Sequence, residues 1–181
     1  MADWLTVPAG DGRDLEVLRS GPPNAHPLVW LGGTPTEASE IPHVARAVEE
    51  RGWQLISYSR PGYAGSTVQP GRTVADGAAD VASVLDHLGL DRFVTLGWSG
   101  GGPHALACAA LLPDRILSAA VLAPVAPYEA EGLDWFAGMG QDNLDEFGAA
   151  DEGEEPLHHY LSAAREGMLA AGAEGMAEEM R

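Results

Sequence analysis

The chain has 181 residues, 27 of them acidic against 10 basic, for a formal net charge of −17. That length allows one domain with a substantial core, and that charge argues against nucleic acid and anionic membrane surfaces as partners. A single cysteine, Cys108, excludes an internal disulfide framework and points to a reducing, cytoplasmic setting, with no secretory signal at Met1–Trp4 and no apolar run long enough to span a membrane.

The charge is unevenly spread. Residues 129–181 hold 14 acidic residues against two arginines, and the chain contains no lysine. A solvated acidic surface accounts for this better than a cation-binding role.

The first twenty residues read as a strand pair, Leu5-Thr6-Val7 and Leu15-Glu16-Val17-Leu18, joined by the turn cluster Gly10-Asp11-Gly12. Leu28-Val29-Trp30-Leu31 is a continuous apolar run, as in a strand covered on both faces. Ile41, Val44, Ala45 and Val48 form one stripe and predict a helix over about 37–51, with Gly52 past its end. Trp53–Tyr58 is the next strand, followed by the loop Arg60–Ser66. Thr73 and Asp76 make a capping-box-like start to a helix that runs to Gly89.

A strand, Phe93–Leu96, then gives way to Gly97-Trp98-Ser99-Gly100-Gly101 and a helix-like run toward Pro113. A serine at a sharp strand-to-helix turn has its hydroxyl pushed into the open. Glycines two residues before and two after relieve the crowding there. Ser99 is the candidate nucleophile. A further strand is expected at Ala119–Ala123. Strands alternating with helices at these lengths predict a mostly parallel, doubly wound α/β sheet. After Pro127 the spacing of Leu133, Trp135, Phe136, Met139, Leu144 and Phe147 is helical, as is Leu157 to Leu169, and the run from Ala170 to Gly175 reads as weakly ordered. No metal-ligand motif is visible, because the adjacent pair His158 and His159 would diverge on a helix. No cofactor is implied.

Three motifs in order resemble the α/β-hydrolase superfamily, in particular its proline-iminopeptidase-like and esterase-like members. Gly32-Gly33-Thr34-Pro35 resembles the family's oxyanion loop, with Gly32 where histidine is usual. Ser59-Arg60-Pro61-Gly62-Tyr63-Ala64-Gly65-Ser66 resembles the loop after the following strand, with Ser59 where aspartate is frequent. Gly97–Gly101 resembles the nucleophile elbow. The resemblance covers residues 4–128 and divides the chain into the N-terminal part of a hydrolase core (1–128) and a helical, cap-like segment (129–181).

It implies acyl transfer from a small-molecule ester or amide. Ser99 would be the nucleophile, and the backbone N–H groups of Gly100 and Thr34 the oxyanion donors. A serine in place of the aspartate of dehalogenase-like and epoxide-hydrolase-like members points to acyl chemistry. The resemblance also implies an acid and a histidine after the cap, and neither pattern is evident here. His104 falls one turn into the elbow's helix, where packing is favoured over service as a base. His158 and His159 suit a solvated or helix-packing face. His26 and His43 precede the serine, and His87 suits a surface role near a helix end. The expectation is therefore of an incomplete catalytic set, through a longer protein, a second polypeptide that completes the fold, or a degenerate non-catalytic relative. The rival reading is a module that binds a carbonyl or carboxylate ligand without turnover. Trp98 is expected to pack beneath the elbow. Tyr63 could equally pack in its loop or line a pocket, and Trp135, Phe136 and Met139 could equally be a lid or seat the cap. Cys108 is expected to be a small buried residue.

Overall fold

The computed structural model describes residues 2–127 and 130–152. Its elements run β1 (Asp3–Pro8), β2 (Asp14–Ser20), β3 (Pro27–Leu31), α1 (Pro42–Glu49), β4 (Gln54–Tyr58), α2 (Asp76–His87), β5 (Phe93–Trp98), α3 (Gly101–Leu111), β6 (Ile116–Leu122) and α4 (Gln141–Glu152). One six-stranded sheet has the order β1-β2-β4-β3-β5-β6. The hairpin β1–β2 joins it antiparallel to β4, and the remaining three pairings are parallel.

Side-chain alternation divides this sheet into two apolar layers, because successive strand residues point to opposite faces. Val29, Leu31, Ile56, Tyr58 and Phe93 meet Ala78, Val81, Val84 and Leu85 of α2 and Ala105 and Cys108 of α3. Leu28, Trp30, Leu55, Val94 and Leu96 pack with Val44, Ala45 and Val48 of α1. The chain runs outward from β3 to β4 through α1. It then returns past β3 to β5 through α2, and continues outward through α3 to β6. Right-handed crossovers place helices of opposite travel on opposite faces, which is the arrangement seen. The direction of winding switches between β3 and β5, the position at whose carboxyl ends open α/β sheets place ligands.

Two predicted elements are shifted. The first helix begins at Pro42, five residues later than about 37. Pro42 suits a first helical turn. Upstream, the Ala38 and Ser39 N–H groups donate to Ser59 Oγ (2.9 Å) and Ser57 Oγ (3.3 Å), which holds that stretch as loop. The last strand starts at Ile116 rather than Ala119. Thr73 and Asp76 do pair, the Asp76 carboxylate accepting from the Thr73 N–H at 2.6 Å and the Thr73 hydroxyl at 2.8 Å. However, α2 starts only at Asp76, with Ala75 at its N-cap and no side-chain cap. Beyond Pro127, turns lead to α4, and Trp135 stacks edge-on with Phe136 and Phe147. The expected helix over Leu157–Leu169, the Ala170–Gly175 tail, and with them His158 and His159, lie outside the described residues.

Among the described residues, β6 pairs on one side only, with β5. Leu106 and Leu111 of α3 and Leu117 and Leu122 of β6 are all exposed beside it. No described helix is long and apolar enough to cross a membrane.

Candidate active site

Ser99 sits between the last residue of β5 and the first turn of α3, with φ at +49°. A non-glycine residue reaches this left-handed region only where its surroundings hold it there. Two backbone hydrogen bonds do so. The Ser99 N–H donates to the Leu122 carbonyl at 3.0 Å, and the Gly102 N–H donates to the Ser99 carbonyl at 2.9 Å. The turn is so tight that a β-carbon on Gly97 would sit 2.5 Å from the Gly101 carbonyl oxygen and 2.8 Å from Ala105 Cβ. Strand and helix can approach this closely only with glycine at 97. Ser99 itself is half-buried.

The loop after β3 lies directly against this turn, because β3 and β5 are parallel neighbours with Leu31 opposite Gly97. A β-carbon on Gly33 would be 3.2 Å from Ser99 Cβ. One on Gly100 would be 3.1 Å from the Thr34 backbone nitrogen. The structure thus brings Ser99, Gly100 and Thr34 into one small region at the switch point, on two adjacent loops. The Thr34–Pro35 peptide is cis.

The loop after β4 supports the loop after β3 from behind. Arg60, only 2% exposed, extends its guanidinium under residues 32–34. Its Nη1 donates to the Gly32 carbonyl at 2.7 Å; Nη2 donates to the Gly33 carbonyl at 3.2 Å and to Thr34 Oγ1 at 3.1 Å. The Thr36 hydroxyl also donates to the Gly33 carbonyl. Tyr63 is buried with its ring 5.3 Å from the Arg60 guanidinium, which places it in the packing of its own loop. The Ser59 hydroxyl donates to Glu16 Oε1 at 2.8 Å while accepting from the Ala38 N–H. Glu16 is held in turn, its N–H donating to Ser66 Oγ at 2.9 Å. Where the resembling family often carries aspartate at position 59, this chain therefore brings a carboxylate in from β2.

Arg60 was visible in the sequence as a motif member, but its partners were not. Glu16 carried no sequence signal, because its link to Ser59 depends on the antiparallel placement of β2 beside β4.

Trp98 differs from expectation. Its side chain is 45% exposed rather than tucked beneath the elbow. It follows Val94 and Leu96 on the face that α1 covers, but lies past the last residues joined to that cluster. No described histidine is bonded to Ser99. His104 is buried and faces α2, its Nδ1 2.5 Å from where a β-carbon of Gly77 would stand. His26 packs against Trp53 at a ring separation of 4.9 Å, while His43 and His87 are exposed on α1 and α2. Cys108 is fully buried and burial pushes its thiol up to about 12, so it stays protonated and inert as a nucleophile.

Comparison with known proteins gives this geometry its setting. The chain is 32% identical over 108 residues to an uncharacterized hydrolase of Bacillus subtilis (strain 168), covering 59% of this chain and 36% of that protein. It is 31% identical over 102 residues to a probable proline iminopeptidase of Leptolyngbya boryana, covering 55% of this chain and 32% of the relative. The chain thus spans about a third of the length of these curated relatives. The solved structure of the epoxide hydrolase CorEH superposes with a TM-score of 0.76 at 17% identity, over 100% of this chain and 75% of that one, a likeness of fold. A family model described as alpha/beta hydrolase fold matches residues 26–164, a stretch that begins just ahead of β3 and takes in the switch point and the elbow. With most of its length matched by that model, the chain belongs to the α/β-hydrolase fold family.

Proposed function

We propose that this chain carries the nucleophile and oxyanion hole of a serine hydrolase that cleaves esters or amides of a small, largely apolar acid. Ser99 attacks the carbonyl carbon. The backbone N–H groups of Gly100 and Thr34 receive the oxyanion, and the opening turn of α3 adds its dipole. The observation that carries the reading is the left-handed Ser99 set within contact of Gly33 and beside Thr34. Hydrolases among the relatives support the general class. The acid and base that would complete a triad come, on this reading, from polypeptide outside the described residues or from a second chain. Buried, protonated Cys108 suits a reducing cytoplasm.

One observation favours a second reading. The described histidines are engaged elsewhere, His104 facing α2 and His26 packed on Trp53, as expected of a domain that binds a carbonyl or carboxylate ligand without turnover.

Prolonged incubation with excess fluorophosphonate, followed by intact-mass measurement of wild type and Ser99→Ala, separates the two. A single adduct on wild type, absent from the variant, is expected. Absence of any Ser99-dependent adduct, with any co-purifying polypeptide retained, refutes the hydrolase reading. On p-nitrophenyl esters the 181-residue chain alone is expected to turn over slowly, and efficient turnover would show that the base is already present.

A further inference from the structure

The carbonyl of Gly33 and the N–H of Thr34 belong to one peptide group. Whatever fixes and polarises that oxygen also fixes and polarises that N–H. Two donors converge on the oxygen, Arg60 Nη2 at 3.2 Å and the Thr36 hydroxyl. The same guanidinium holds the preceding carbonyl, Gly32, at 2.7 Å, and the Thr34 side chain at 3.1 Å. A peptide whose carbonyl accepts from a cation presents a more positive N–H, because hydrogen bonds in a chain strengthen one another.

Arg60 is also almost completely buried. Removing a cation from water is costly, and a loop that needed only packing would be served by an apolar side chain of similar volume. The charge is therefore informative. It binds the carbonyl side of the Gly33–Thr34 peptide, opposite the N–H, so it can act on developing negative charge through that peptide.

We propose that Arg60 is the positioning residue of the oxyanion hole. It aims the Thr34 N–H at the site beside Ser99 and strengthens it as a donor, and Thr36 is the second support of the same peptide. This rests on the serine-hydrolase reading above. It adds that the hole's donor strength is set by a side chain from the next loop.

The test compares second-order rates of fluorophosphonate labelling at Ser99 in wild type, Arg60→Met, Arg60→Lys and Thr36→Val, with folding checked by circular dichroism and urea titration. Loss of one direct oxyanion donor costs about 100- to 1,000-fold. Loss of an indirect support is expected to cost less, about 10-fold for Arg60→Met and a few-fold for Thr36→Val. Arg60→Lys keeps the charge and should recover part of the rate. A merely structural arginine would lower the urea midpoint but leave the labelling rate of folded protein unchanged.

If Arg60→Met does not fold, Arg60→Lys and Thr36→Val carry the comparison. Wild-type labelling rates in the folded variants overturn the proposal while leaving the serine reading intact. A wild-type protein that takes no label at Ser99 overturns both, and the wild-type arm alone reveals that case.

Discussion

Thr34 and Gly100 approach so closely that a β-carbon on Gly100 would stand 3.0 Å from Thr34 Cβ and 3.1 Å from its backbone nitrogen. The two groups proposed to share the oxyanion thus meet only because residue 100 carries no methyl. Gly100→Ala is expected to push the loop after β3 off the elbow. Overpacking of this kind costs about 1–3 kcal/mol of stability. The labelling rate at Ser99 should fall at least about 10-fold as the donors separate. Urea titration and the fluorophosphonate assay read the two effects independently. A variant labelled at the wild-type rate would show that the loop yields without loss of geometry.

The start of α2 provides a pH-dependent test. Hydrogen bonds from the Thr73 N–H and hydroxyl hold the Asp76 carboxyl below its ordinary value of 3.8. A carboxyl with a lowered folded-state pKa stabilises the fold above its unfolded value, and that stabilisation is lost as pH falls through the folded value. Asp76→Ala, which removes these hydrogen bonds, is therefore expected to cost about 1 kcal/mol at neutral pH. The gap from wild type should close at pH well below 3.8. Paired urea titrations at neutral and acid pH measure it; a gap independent of pH would mean that the charge of Asp76 plays no part.

Cys108 gives the opposite sign. Its thiol rises from 9.0 to about 12 through burial, so the folded state keeps a proton that the unfolded state releases. Stability from this group is fully present below pH 9 and is lost as pH rises toward the folded value. Wild type should lose stability faster than Cys108→Ala between pH 8 and about 10.5, by at most about 1.4 kcal/mol per pH unit. Native protein should also resist Ellman's reagent until unfolded. Rapid labelling without denaturant would contradict the burial seen here.

What could be read from the sequence follows from locality. The alternation of strands and helices, the hairpin of Leu5–Val7 with Leu15–Leu18, the stop of α2 at Gly89 and the turn at Ser99 all depend on residues within a few positions of one another. Glycine and apolar spacing report such features directly. The resemblance of three loops added the fold, which the family match and the strand order both uphold. The supports behind the loop after β3 were not legible. Arg60 reaches back 26 to 28 residues to its partners, and Ser59 reaches back 43 to Glu16. Such contacts appear only once β2, β4 and β3 lie side by side. The late start of α1 has the same origin, since Ser57 and Ser59 hold residues that spacing alone assigned to a helix. Trp98 was misread because packing beneath the elbow requires a covering element, and local pattern does not say whether one is present.

The hydrogen bond from the Ser99 N–H to Leu122 has a dynamic corollary. Outer strands open more readily than central ones, and their amides trade hydrogen for deuterium sooner. Among the described residues Leu122 closes an edge strand, so the strained serine is anchored to a border of the sheet rather than to its centre. Each opening of that border frees Ser99 from one of the two backbone bonds that hold its left-handed turn. The readiness of the hydroxyl and the protection of the β6 amides should therefore rise and fall together.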